Sequence, residues 1–432
     1  MKVFKYPKRK DWEKLCARPA QDFKTIRKIV KPVIKKVREK GDKAMRKFAL
    51  EYDHVELDKL LASPKEIAAA ESQIDESLKQ AIAVAKENIE KFHKAQLSAP
   101  IEVETMPGVV CARKSVPIRS VGLYIPGGTA PLFSTVLMLG IPAKLAGCEE
   151  IVLCTPCNHE GKINPAILYA AKLIGIEKIV KAGGAQAIAA LAFGTETIPK
   201  VDKIFGPGNQ FVTTAKQILS QKDVAIDMPA GPSEVAIIAD RTAIPAFVAS
   251  DLLSQAEHGP DSQTMLITTD ESLIEEVSKE IKIQLERLPR KDHAGKSLSN
   301  SRAVLFSNTD DAVEFANAYA PEHLIIATED ADLLAGKVKN AGSVFIGNYS
   351  PEAAGDYASG TNHVLPTYGF ARAFSGVSVD SFVKKITFQK IAPEGIKALG
   401  KTIERMAEAE SLLGHKNAVT VRLQYLENRE NG

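Results

Sequence analysis

The sequence carries almost no net charge. Its 56 basic and 53 acidic side chains leave a formal +3 over 432 residues, which gives no electrostatic ground for a nucleic-acid or membrane-surface protein. Long apolar runs are missing too: none approaches the roughly 18–20 residues of a membrane span. The N-terminal MKVFKYPKRKDW is basic, but no apolar stretch follows, which argues against a secretory signal. Cysteine is sparse and odd in number: Cys16, Cys111, Cys148, Cys154 and Cys157. That argues against a disulfide framework and fits a reducing cytoplasm. Cys154-x-x-Cys157 has no second pair to make a zinc ribbon. It follows a strand instead of opening a helix, so it reads as two ordinary cysteines in a loop. The chain has no G-x-G-x-x-G, and no P-loop either, since Ala294-Gly295-Lys296-Ser297 lacks the earlier glycine.

What is present is ordinary globular composition, 45% hydrophobic and 25% charged, enough for roughly three units of structure at about 150 residues each. The first hundred residues read as helices. Ile26, Ile29, Val30, Val33, Ile34 and Val37 recur at helical spacing, with Pro32 expected to kink the run. A second helical stretch covers 64–94. From Val121 short apolar runs alternate with helical segments: strands at 121–125, 151–153, 178–181 and 201–205, with helices at 134–146, 166–174, 185–193 and 211–219. The rhythm restarts after Gly231-Pro232, with strands at 235–238, 264–268, 303–306, 323–327 and 343–346. Such alternation predicts an α/β fold, two similar βα arrays with mostly parallel sheets. Residues 393–428 read as an amphipathic helical tail interrupted at Gly414, suited to docking or dimerisation.

Three loops replace the missing fingerprint: Tyr124-Ile125-Pro126-Gly127-Gly128-Thr129, Gly183-Gly184-Ala185-Gln186 and Phe205-Gly206-Pro207-Gly208-Asn209. Each follows a strand and leads to a helix, where free backbone N–H groups favour anions and where open α/β sheets bind ligands. One such loop is plain turn chemistry; three in successive βα units point to a shared cleft.

A polar constellation occupies the second half. Gln255 and His258 share one face of a helix that stops at Gly259-Pro260, with Asp251 a turn earlier. Glu322 and His323 stand at the entrance of an apolar strand, where an acid–base pair can reach a cleft. Gly355 to His363 is a polar, glycine-rich loop containing Asp356 and His363; Glu410, Gly414 and His415 lie in the tail. Gln255, His258, Asp356 and His415 together offer a mixed N/O shell, the character of an open catalytic metal site.

These segments resemble the histidinol dehydrogenase family. The similarity is carried by LYIPGGTAPLFSTVLML from Leu123, GPGN from Gly206, DMPAGPSE from Asp227, SQAEHGPDSQ from Ser254, PEHL from Pro321 and GDYASGTNHVLPT from Gly355, in order from about Arg113 to His415. The resemblance implies NAD-linked oxidation of L-histidinol through an aldehyde to L-histidine, by a cytoplasmic, zinc-dependent homodimer with one zinc ion per subunit. It implies zinc held by Gln255, His258, Asp356 and His415. Substrate would contact Ser233, Gln255, His258, Glu322, His323, Asp356, His363, Glu410 and His415. Glu322 and His323 would be catalytic, the imidazole titrating near neutrality and the carboxylate already ionised. NAD would lie against Tyr124, Gln186 and Asn209. The expected organisation is an N-terminal helical segment, 1–22, and a first incomplete Rossmann-like domain, 23–120 with 234–377, carrying most metal and acid–base residues. The second such domain, 121–233, would bind NAD, and a small helical arm, 378–432, would cross to the other subunit. The segment after Pro366 departs from the family pattern without touching a site residue.

Two other classes use parts of the same residues. A zinc hydrolase would need the metal shell and no dinucleotide. A non-catalytic α/β binding protein would need only the glycine loops and no metal.

Overall fold

The computed structural model describes residues 1–19, 23–127, 131–229 and 231–431. Gly128 and Thr129 of the first glycine loop lie outside them. The described strands are β1 (Lys2–Lys5), β2 (Ile101–Met106), β3 (Val109–Pro117), β4 (Ser120–Tyr124), β5 (Glu150–Thr155), β6 (Lys178–Lys181), β7 (Lys203–Phe205), β8 (Ala225–Ile226), β9 (Glu234–Ala239), β10 (Gln263–Thr268), β11 (Arg302–Leu305), β12 (His323–Ala327), β13 (Ser343–Ile346) and β14 (Val383–Ile391). The chain forms two compact units: Met1–Gln96 with Ile118–Phe382, and Leu97–Pro117 with Val383–Gly432.

The larger unit holds two parallel sheets. One runs β6-β5-β4-β7-β8 and the other β1-β11-β10-β9-β12-β13. Numbered within each array, both follow the order 3-2-1-4-5, the doubly wound order short of its sixth strand. The two arrays expected from the sequence are therefore true topological repeats. Strand β9 shows why its sequence is so uniformly apolar: Val235, Ile237 and Ala239 enter the core on one face of the sheet, while Ala236 and Ile238 enter the core on the other. A strand covered on both faces has no position for a polar side chain.

The N-terminal regions pack differently from the expected division. Residues 2–5 form β1, which pairs parallel with β11, and Trp12 packs edge-on against Phe306 and Phe315. Residues 1–19 thus complete the six-stranded sheet. The helix Phe23–Tyr52 buries Ile26, Val30, Val33 and Val37 in the core that also holds Val152, Ala187 and Ile204 of the five-stranded array. Helix Glu76–Lys94 likewise buries Ile82 and Ile89 with Val121 and Leu153. Residues 23–94 belong with the 118–226 array, not with 234–377. An amphipathic pattern says that a face is buried and nothing about which sheet buries it. The backbone leaves helical geometry at Gly41 (φ 46°, ψ −129°), not at Pro32, because glycine alone accepts that region without strain.

In the smaller unit, β14-β3-β2 form an antiparallel sheet, followed by helices Pro393–Ala409 and Leu413–Asn431. The arm is therefore not wholly helical. Its helices part at Glu410–Leu412, with Ser411 at φ 60°, and Gly414 lies inside the second helix instead of marking the break.

Candidate active site

The acid–histidine cluster lies at the amino edge of the six-stranded sheet. His323 opens β12 and Glu234 opens β9, its neighbour. The imidazole Nδ1 sits 3.2 Å from the Glu234 carbonyl. It is 3.7 Å from a Glu322 oxygen and 3.9 Å from Glu352, and Nε2 is 3.5 Å from Asp356. Nε2 is buried and makes no hydrogen bond among the described residues. The Glu234 N–H donates to Glu322 (2.8 Å). His363 follows in the loop after helix Glu352–Tyr357; its Nδ1 lies 2.8 Å from the Asp356 carbonyl and its Nε2 3.1 Å from the Thr135 hydroxyl. Thr135 begins the helix Phe133–Ala146 of the five-stranded array, so His363 ties the cluster to the other sheet.

His258 stands just past helix Pro245–Ala256. One donor atom each from His258, Glu352 and Asp356 lies within 4.8 Å of the others. Gln255 is fully buried beside them. With its amide NH2 toward Glu352 it donates to that carboxylate while its oxygen shares the Glu234 N–H; turned over, its oxygen faces the Glu352 oxygens. An amide oxygen against a carboxylate is repulsive unless a cation lies between them, and imidazole with hard oxygens is a donor set for zinc or its neighbours. The residues fit a divalent metal.

Burial and charge set the protonation of this cluster. Burial pushes the Glu322 carboxyl up to about 8, only partly offset by His323. Burial pushes His323 down, but Glu352, Glu322 and Asp356 outweigh it and hold the imidazole up at about 10. Glu352 is raised well above the usual carboxylate range by burial. Asp356 resists its own burial and is held low by His323, His363 and His258. The protein around His258 lowers its pKa although the ring itself remains exposed. In the metal-free cluster, then, the pair is a protonated carboxyl and an imidazolium at neutral pH. The sequence expectation of a neutral-range imidazole beside an ionised carboxylate overlooked Glu352 and the depth of burial.

Three groups escaped the sequence reading, and a fourth, Asp251, was read only in part. Glu352 stands at i, i+4 from Asp356, an acidic pair on one helical face that the spacing alone could have flagged. Asp251 was seen as a helix neighbour, but burial raises it to about 7. Glu234 and Arg18 had no signal. Arg18 reaches in from the N-terminal segment to grip Glu234 through two bonds, 2.8 and 2.9 Å, with its guanidinium over the Tyr319 ring. Ser233 directly precedes β9. Glu410 and His415 belong to the smaller unit.

The glycine loops meet at the opposite kind of edge, the carboxyl ends of the five-stranded sheet. Tyr124 ends β4 and its hydroxyl accepts from the Gly184 N–H (3.0 Å). Gly184 has φ 67° and opens the helix that carries Gln186. The Asn209 side chain caps the helix Gln210–Leu219, accepting from Phe211 and Val212 N–H. Behind that loop, Lys216 pairs with Asp227 in a fully buried bridge (2.5 Å) and donates to the Gly206 carbonyl. Tyr124, Gln186 and Asn209 all line one cavity of about 990 Å³. Two helix N-termini at one cavity of this size suit a dinucleotide and its pyrophosphate. Cys154 is buried and its thiol pKa pushed up, and Cys157 is raised likewise; neither has the character of a reactive thiolate.

A cleft over strand ends and a buried imidazole among carboxylates, held in one unit, are the equipment of an α/β enzyme acting on a small molecule. Comparison with known proteins narrows the class. The histidinol dehydrogenase family profile matches residues 16–423. The chain is 59% identical to a Bacteroides thetaiotaomicron histidinol dehydrogenase over 99% of its length and 100% of that protein. It is 52% identical to the Shigella dysenteriae enzyme over 95% of each chain. The crystal structure of histidinol dehydrogenase from Elizabethkingia anophelis superposes with a TM-score of 0.97 at 54% identity, covering 99% of both chains. The chain belongs to the histidinol dehydrogenase family. It is an oxidoreductase of histidine biosynthesis, which removes the hydrolase and the non-catalytic binding readings. Among the described residues no helix is long and apolar enough to cross a membrane.

Proposed function

We propose that the chain oxidises L-histidinol to L-histidine in two NAD-linked steps through L-histidinal, with a zinc ion in the acid–histidine cluster. The observation that carries this reading is the convergence of His258, Glu352 and Asp356 donors beside a buried imidazole whose Nε2 faces Asp356 and makes no hydrogen bond among the described residues. Gln255, His258 and Asp356 would hold the zinc together with His415 from a tail, with Glu352 beside the first three. When bound, zinc orients the substrate's imidazole and amine and, as a positive charge among carboxylates, draws Glu322 and His323 back toward ionised and neutral forms. Tyr124, Gln186 and Asn209 would hold NAD, which would supply the hydride acceptor.

The remaining chemistry belongs to side chains. With Nδ1–H given to the Glu234 carbonyl, His323 Nε2 is the atom that takes the alcohol proton as hydride leaves the carbinol carbon. Glu322, oriented by the Glu234 N–H, removes a proton from the water that adds to the aldehyde, and the second hydride then departs from the hydrate. Ser233, His363, Asp356 and Glu410 complete the substrate contacts. The alcohol step releases one proton and the aldehyde step, which ends in an ionised carboxylate, releases two; two NADH and three protons form per histidinol and one water is consumed.

The smaller unit leaves Val103, Phe388, Leu413 and Tyr425 exposed, apolar surface that supports a homodimer in which the tail serves the partner's site. Five free cysteines suit a cytoplasmic location. The test is steady-state NADH formation from L-histidinol and NAD⁺ with and without a chelator, alongside metal analysis: two NADH per histidinol, lost on chelation and restored by zinc. Mixing His323→Ala with His415→Ala subunits should restore part of the activity; demonstrably mixed dimers without recovery assign the tail to its own chain.

A further inference from the structure

The cavity that carries Tyr124, Gln186 and Asn209 also contains a carboxylate with nothing to bind. Asp53 lines it, just past the end of helix Phe23–Tyr52. Its main chain is pinned: the N–H donates to the Ala49 carbonyl (3.0 Å), and the His159 ring lies 3.2 Å from its own carbonyl oxygen. Its side chain is half-buried, yet no hydrogen bond or ion pair to it is found among the described residues. Burial raises its pKa, with only the charges of His54 and His159 opposing. A carboxylate stripped of water and given no donor is costly, so this wall of the cavity calls for a ligand that brings hydroxyl or amide hydrogens.

Its place in the topology says which part of a ligand that is. In doubly wound sheets an acidic residue past the second strand takes the ribose of the adenosine half. The second strand here is β5; Pro156, Cys157, Asn158 and His159 after it include no acid, and Glu160 beyond them pairs with Lys162 and is not among the residues lining the cavity. Asp53 reaches the same corner from another element, close enough that its charge adds to the burial raising the Cys157 thiol pKa. Among the described residues no arginine lines the cavity, and its Lys162 is paired to Glu160 at 2.8 Å.

We propose that Asp53 accepts hydrogen bonds from the ribose hydroxyls of the adenosine half of the dinucleotide, and so selects the cofactor without a 2′-phosphate over its 2′-phosphorylated counterpart. This deepens the reading of the cavity as the NAD site and rests on it. A 2′-phosphate removes the donor and sets like charges together, with no free guanidinium to offset them.

The test uses ligands that need neither metal nor hydride chemistry. ADP-ribose and 2′-phospho-ADP-ribose are titrated calorimetrically into the full-length wild type and into Asp53→Asn. The wild type should prefer ADP-ribose. Asp53→Asn should bind ADP-ribose about 10-fold or more weakly, the scale of a charged hydrogen bond, and the preference between the two ligands should collapse. That ratio, taken on one preparation, does not depend on the fraction folded. An unchanged ratio with wild-type ADP-ribose affinity overturns the role of Asp53 while leaving the cavity as the NAD site. A wild type that binds neither ADP-ribose nor NAD⁺ overturns the NAD reading of the cavity, and the proposal with it.

Discussion

The two parallel sheets share one strand order, 3-2-1-4-5, and use opposite edges. The five-stranded sheet follows the general rule: its glycine loops and cavity stand at the carboxyl ends of β4, β6 and β7. In the six-stranded sheet the titratable cluster gathers at the amino ends of β9 and β12 instead. The difference is in what each edge offers. Carboxyl ends leading to helix N-termini present N–H groups and hold an anion. The amino edge here presents side chains, three carboxylates and an imidazole within 4 Å, which suit a cation and proton transfer. The proposed roles thus divide a duplicated scaffold by edge, not by fold.

That division can be broken by mutation. The largest effect is expected at His323. His323→Asn should lower kcat for histidinol oxidation by about 10²–10⁴-fold, the usual cost of losing a general base, and leave NAD⁺ affinity unchanged because the cavity proposed for the cofactor stands on the other sheet. A matching loss of NAD⁺ affinity by calorimetry would join the two edges into one site.

Glu322→Gln should slow oxidation of supplied histidinal by a comparable ~10²–10⁴-fold and spare the alcohol step more, seen in single-turnover NADH formation. If histidinal is oxidised at the wild-type rate while histidinol is not, the roles of Glu322 and His323 are reversed. Protonation also leaves a signature in stability. Glu322 sits at about 8 and His323 at about 10 in the metal-free fold, both above their unfolded values, so the native state binds more protons than the unfolded chain. Metal-stripped protein should therefore lose stability as pH rises: the Glu322 contribution changes between its ordinary carboxylate range and about 8, and the His323 contribution, complete below about 6.5, is gone above about 10. Thermal melts of stripped protein across this window test it; each substitution should flatten its own part of the slope.

Arg18→Ala should cost about 3–5 kcal/mol in denaturant unfolding, since it leaves Glu234 charged and buried without its partner. Its kinetic effect should fall on kcat, through the Glu234 carbonyl that holds His323, more than on the KM for NAD⁺. The smallest effect belongs to the cofactor edge: Asn209→Ala removes a helix cap worth ~1 kcal/mol and should raise the KM for NAD⁺ while leaving metal content intact. Zinc loss in that variant would contradict the separation of the edges.

Much of this was legible in the residues. The β-α alternation from Val121 and its restart after Gly231-Pro232 became two sheets of one topology, because strands buried on both faces need unbroken apolar runs. Other elements were not read, although part of their pattern was present: β2 (Ile101–Met106) alternates apolar and polar residues with period two over its first four positions, and β14 (Val383–Ile391) does so only around Ile386 and Phe388. They were hidden because their apolar positions remain largely exposed in the smaller unit, so neither stands out as core.

The sequence by itself determined the chemistry available. Gln255 and His258 one helical turn apart, Glu322 beside His323, and glycine next to Tyr124, Gln186 and Asn209 are facts of local spacing, and local spacing fixes which side chains share a face or a turn. Tertiary structure decided which of them meet and in what charge state. Glu352 and Glu234 enter the cluster, Arg18 arrives from more than two hundred residues away to hold Glu234, and Asp53 turns up beyond β5, because parallel sheets bring remote strand ends together. The same burial that assembles these groups removes their water. That desolvation raises Glu322, while the carboxylates of Glu352, Glu322 and Asp356, brought together by the fold, outweigh it at His323 and raise the imidazole instead.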